Sequence, residues 1–145
     1  MRRSIFLAAL LGLALALALA LPGAAFASVV AQINLSSQRM HVFVNGKPAY
    51  TWKVSTARSG YRTPTGTYKP YHLARRHYSS IYNNSPMPHS IFFYKGYAIH
   101  GSYETKYLGR PASHGCVRLH PSNAARLYSL VQRYGAGNTT ISITH

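Results

Sequence analysis

Between residues 30 and 54 apolar and polar side chains alternate with the two-residue period of half-buried strands. The pattern predicts strands over 30–35, 39–44 and 48–54, and the Asn45-Gly46 pair predicts a tight hairpin turn between the last two. Shorter runs at 66–71, 91–94, 97–99 and 140–144 add further strands, with Gly96 turning the middle pair. The period changes once. Over 122–134, Ala124, Leu127, Leu130, Val131 and Tyr134 recur at helical spacing, with Ser122 as candidate N-cap and Gly135 just past the end. The expected fold is mostly β and sandwich-like, with one main helix. No period holds over 72–88, a polar stretch with Arg75-Arg76, Asn83-Asn84 and Pro86-Met87-Pro88. Loops of that length inside a compact domain are commonly functional, so a cap or substrate-binding loop is expected, against a solvated surface excursion.

The amino terminus follows a different rule. Met1-Arg2-Arg3 precedes an apolar run from Ile5 to Leu21, then Pro22-Gly23 and Ala25-Phe26-Ala27. A basic start, an apolar stretch and a small-x-small site predict an export signal over 1–27, cleaved to leave one domain over 28–145. The alternative is a retained anchor, since the run approaches the roughly 18 residues of a membrane span. Export places the protein in a periplasm or cell envelope, with no stable membrane insertion after cleavage.

Charge narrows the chemistry. The formal net charge is +15, and Glu104 is the sole carboxylate side chain. Such a field draws a protein toward polyanions. The cations are spread along the chain, which fits adhesion to a wall polymer better than nucleic-acid reading, so no nucleic-acid partner is expected. One carboxylate cannot furnish the acid pair of ordinary glycoside hydrolysis, an aspartic protease dyad or a two-metal phosphoryl-transfer site, and the absence of aspartate excludes a Cys-His-Asp triad.

What remains is a cysteine. Cys116 is the only one, in Ser113-His114-Gly115-Cys116-Val117-Arg118, and His100-Gly101 lies upstream. A lone thiol beside a cation, with an imidazole supplied from elsewhere in the chain, is the composition a cysteine nucleophile requires. The competing reading is a buried structural thiol. Gly115 before it and Arg118 after it argue against purely apolar burial. The histidines at 41, 72, 77, 89, 120 and 145 show no tight ligand spacing, so neither a zinc site nor any other cofactor is expected.

These residues together resemble the L,D-transpeptidase family, with its YkuD-type catalytic domain. The resemblance rests on His100-Gly101, on Ser113-His114-Gly115-Cys116 followed by Arg118, and on Thr63-Pro64-Thr65-Gly66-Thr67, and it spans essentially all of 28–145. It implies a YkuD-like β-sandwich with its main helix after the cysteine turn. It also implies that Cys116 attacks a peptidoglycan stem peptide between diaminopimelate and a terminal D-alanine, forming a thioester that an amine on a second stem resolves into a cross-link.

On that resemblance His100 is the base and the Gly101 carbonyl holds its other ring nitrogen. The backbone amides of His114, Gly115 and Cys116 are the expected oxyanion hole. Arg118 and Ser113 are the expected substrate contacts, Arg118 through a substrate carboxylate. Thr63-Pro64-Thr65-Gly66 reads as a turn launching the next strand. Three alternatives stay open: an L,D-carboxypeptidase that uses water as acceptor, an enzyme that joins or cleaves wall-lipoprotein links, and a non-catalytic cationic wall-binding module.

Overall fold

In the computed structural model, which describes residues 27–145, Asn45 and Gly46 both take positive φ, 52° and 76°. They close a hairpin between β2 (Arg39–Val44) and β3 (Lys47–Lys53), as that dipeptide favours. Pro48 lies within β3 opposite Phe43, where the register shifts. This is an edge strand, so the missing N–H costs no interior ladder bond. β1 (Val29–Asn34) pairs antiparallel with β2 and parallel with the carboxy-terminal strand β9 (Thr139–Thr144). β4 (Gly66–Tyr68) completes a five-stranded sheet of order β3-β2-β1-β9-β4.

A second sheet runs β5-β6-β7-β8, formed by His72–Ala74, Ser90–Tyr94, Tyr97–Gly101 and Val117–Leu119. Its last pair is parallel, so the chain must travel from the end of β7 back to the start of β8. That return carries a single 3-10 turn, Thr105–Tyr107. The helix α1 (Pro121–Tyr134) follows directly and packs on β7, with further contacts to β1 and β6.

Alternate residues of each strand fill one core. Val29, Ala31 and Ile33 of β1 and Ile141 and Ile143 of β9 meet Ile91, Ile99, Val117 and Leu119 of the second sheet. The helix adds Ala124, Leu127, Tyr128 and Val131, a stripe at i, i+3, i+4 and i+7. Leu130 and Tyr134 sit at its margin, partly buried. The opposite face of the second sheet is covered too. Met87, Phe92 and Ala98 form a smaller buried cluster there, with Cys116 against it.

Several expectations need correction. The polar stretch 72–88 begins with a strand, because His72, Leu73 and Ala74 pair with Phe92, Ile91 and Ser90. β8 lies inside the cysteine motif and shows no period of its own. The strand expected over 66–71 stops at Tyr68, before Pro70. The helix cap is His120 and not Ser122. Pro121 occupies the first helical position, where its missing N–H is harmless, and this moves the cap back to His120, whose Nδ1 accepts from the Ser122 amide at 3.2 Å. The expected export signal lies outside the described residues, apart from Ala27 at its end.

Candidate active site

The register of β7 and β8 assembles the site. Ile99 pairs with Val117, His100 with Arg118, and Gly101 with Leu119. Ile99, Val117 and Leu119 point into the core, so His100, Arg118 and Cys116 share the other face. Cys116 lies two residues before Arg118, about 6.6 Å along an extended chain, and adjacent strands are about 4.8 Å apart. His100 and Cys116 both line a groove of about 1210 Å³.

The turn before Cys116 is held by side chains that bond to backbone. Ser113 Oγ donates to the Cys116 carbonyl at 2.6 Å and accepts the Gly115 N–H at 3.0 Å. Thr63 Oγ1 donates to the Gly115 carbonyl at 2.8 Å and accepts from the Ala57 amide at 3.0 Å. Arg118 exchanges both backbone bonds with Ser55, and the Arg58 amide donates to the Ser113 carbonyl at 2.9 Å. Residues 55–58 therefore brace the turn from one side and Thr63 from another. Gly115 has φ of +140°, and a Cβ there would stand 2.6 Å from Tyr97 Cε1 and 2.9 Å from the Arg62 carbonyl oxygen. No other residue fits.

His100 is 6% exposed, and its Nδ1–H donates to the Gly101 carbonyl at 2.7 Å. That bond leaves Nε2 with its lone pair free. Burial pushes the ring from its ordinary 6.5 down to about 4, reinforced by Arg118 and His77 and opposed by the Gly101 bond, so the imidazole is neutral near pH 7. Burial likewise raises the Cys116 thiol, while the Ala98 backbone amide and Arg118 pull it down. The resting arrangement is a neutral thiol and a neutral imidazole lining the same groove.

His114 takes a different position from His100. Its ring stacks on Tyr82 at 3.8 Å and 5°, meets Tyr61 edge-on, and accepts from Arg58 at its Nε2, 3.1 Å away. Desolvation, Arg58 and Arg118 all lower its pKa. Tyr82 belongs to the 72–88 segment, which thereby closes one wall of the groove. Arg118 does not stand alone either. Its Nη1 donates to Glu104 Oε2 at 3.2 Å, so the sole carboxylate of the chain lies in the same groove.

Among the described residues no group of histidine, cysteine or acidic side chains is arranged to hold a metal. No described helix is long and apolar enough to cross a membrane.

A family model described as the L,D-transpeptidase catalytic domain, YkuD, matches residues 28–143. The chain belongs to this family. Its fold is that of an L,D-transpeptidase from Mycobacterium smegmatis, with TM-score 0.72 and 20% identity over 82% of this chain and 59% of that one. An L,D-transpeptidase from Stackebrandtia nassauensis matches with TM-score 0.70 and 27% identity over 81% and 56%. L,D-transpeptidase 3 from Mycobacterium tuberculosis, solved with a faropenem-derived adduct, gives 0.70 and 18% over 82% and 61%. The chain thus spans about three fifths of the length of these structures. No curated protein matches it.

Within this L,D-transpeptidase domain two sequence expectations change. Ser113, expected to touch substrate, is 1% exposed and its hydroxyl is committed to the turn backbone. Of the three amides expected for an oxyanion hole, that of Gly115 already donates to Ser113. Thr63 and Glu104 were missed as site residues. The signature containing Thr63 reads as a strand-launching turn, yet its first threonine reaches across to Gly115. Glu104 carried a signal in its rarity, which marks a residue without showing what it touches.

Proposed function

We propose that the domain is a peptidoglycan L,D-transpeptidase working through a thioester on Cys116. The Cys116 thiol gives its proton to Nε2 of His100 as the sulfur attacks the carbonyl between diaminopimelate and the terminal D-alanine of a tetrapeptide stem. The C–S bond forms and the C–N bond breaks. D-alanine leaves with the proton that His100 returns. An amine on a second stem then attacks the thioester, and the thiolate departs and regains a proton through His100.

The observation that carries this reading is the parallel β7–β8 register, which sets His100, its Nδ1 tied to Gly101, on one groove wall with Cys116. The Gly101 carbonyl takes the orienting role that a carboxylate has elsewhere. The amides of His114 and Cys116 supply the oxyanion donors. Arg118 binds a substrate carboxylate and favours the thiolate. Every step uses the chain's own groups, so no cofactor is required. The faropenem-derived adduct in the Mycobacterium tuberculosis relative supports acylation by β-lactams as well.

The same reading puts the domain of 28–145 in the cell envelope, delivered by cleavage of 1–27, with stem peptides as its partners. Incubating the purified protein with disaccharide-tetrapeptides and weighing the products tests it. Cross-linked dimers establish transfer, and tripeptides alone establish a carboxypeptidase. Unchanged tetrapeptide, with wall sacculi still bound after Cys116→Ala, would leave only a binding module.

A further inference from the structure

The one negative side chain of a chain with formal charge +15 lines the groove that also holds Cys116. An amine acceptor near neutral pH is mostly an ammonium, which the protein's overall field repels. Glu104 is the one side chain that opposes it. Its side chain is 61% exposed, and one oxygen, Oε2, is bonded to Arg118 Nη1. Among the described residues Oε1 has no hydrogen-bond partner, and only Nη1 of the Arg118 guanidinium is engaged. The Arg118 backbone is fixed by Ser55 on both sides, which keeps the guanidinium beside the groove. Stability does not account for the pair, because an ion pair with one partner this exposed contributes little.

We infer that Glu104 and Arg118 form a subsite for an acyl acceptor that carries a free ammonium and a free carboxylate on one carbon. The ammonium donates to Glu104 and the carboxylate accepts from Arg118, so the adjacent opposite charges of the pair match those of a zwitterionic amino-acid centre. The free end of a diaminopimelate side chain is such a centre. The inference rests on the acyl-transfer reading above. The ammonium first loses one proton to solvent. The amine lone pair then attacks the thioester carbonyl, the C–N bond forms, the C–S bond breaks, and the second proton passes through His100 to the departing thiolate.

The test supplies the protein with a tetrapeptide donor and three competing acceptors: glycine, glycinamide and methylamine. Masses of the products give the partition among them and water. Wild type is expected to favour glycine. In Glu104→Gln the thioester still accumulates, while glycine capture relative to hydrolysis falls about tenfold, carried by the acceptor KM, as expected for loss of one charge-assisted hydrogen bond in a half-exposed site. Glu104→Asp recovers part of the loss. Unchanged partition in Glu104→Gln overturns the subsite and leaves the acyl-transfer reading standing. Loss of thioester in Glu104→Gln and Glu104→Asp alike, with both folded, also overturns it, because Glu104 would then serve only to place Arg118. Absence of a thioester in wild type removes the acyl-transfer reading and the subsite with it.

Discussion

Replacing Thr63 by valine keeps the shape of the side chain and removes one hydroxyl. That hydroxyl is buried, with the residue 3% exposed, and it serves two backbone groups, the Gly115 carbonyl at 2.8 Å and the Ala57 amide at 3.0 Å. A buried polar group stripped of its partner costs about 1–3 kcal/mol, and the more accessible Ala57 amide counts toward the lower end, so the expected loss is about 2–4 kcal/mol. For a domain of this size that lowers Tm by roughly 8–15 °C. The effect on chemistry should exceed the effect on folding. Thr63 is the support of Gly115 from outside the motif, and a turn that relaxes by about 1 Å can cost on the order of a hundredfold in rate. Thermal unfolding by circular dichroism, paired with the rate of thioester formation by intact-protein mass, measures both. Thr63→Ser, which retains the hydroxyl, should recover most of each. A Thr63→Val protein with unchanged Tm and unchanged acylation rate would refute the assignment of Thr63 as the brace of the cysteine turn.

Three further outcomes follow from the same geometry. Gly115→Ala places a Cβ 2.6 Å from the Tyr97 ring at φ +140°, so it should lose several kcal/mol, and soluble expression or Tm will report it. His100 binds its proton more weakly folded, at about 4, than unfolded, at 6.5; its contribution is complete above about pH 6.5 and is lost as pH falls toward 4, about 3 kcal/mol in all. Urea midpoints across that window should fall with acidification, and His100→Gln should flatten the slope. Because burial raises the Cys116 thiol, alkylation by iodoacetamide should keep climbing past about pH 8, without a plateau near neutrality.

The parts of this fold visible in the sequence are those whose side chains repeat. The stripe of α1 and the alternation of β1 and β2 state their own burial. β5 and β8 are three residues each, too short for a period to register, and their pairing is decided by β6 and β7. Cys116 and His100 were legible as chemistry from residue type and from family resemblance. Their sharing of one wall was not, because parallel pairing across a long return leaves no local pattern. Thr63 and Glu104 show the same limit: each acts through a contact with a residue distant in sequence, at Gly115 and at Arg118.

The most direct measurement of the central claim is the mass of the intact protein after incubation with a carbapenem, followed by peptide mapping. The account predicts one adduct per chain, on Cys116, absent in Cys116→Ser and slowed by orders of magnitude in His100→Gln. A folded wild-type protein that stays unmodified, or an adduct that forms at full rate without His100, would contradict it.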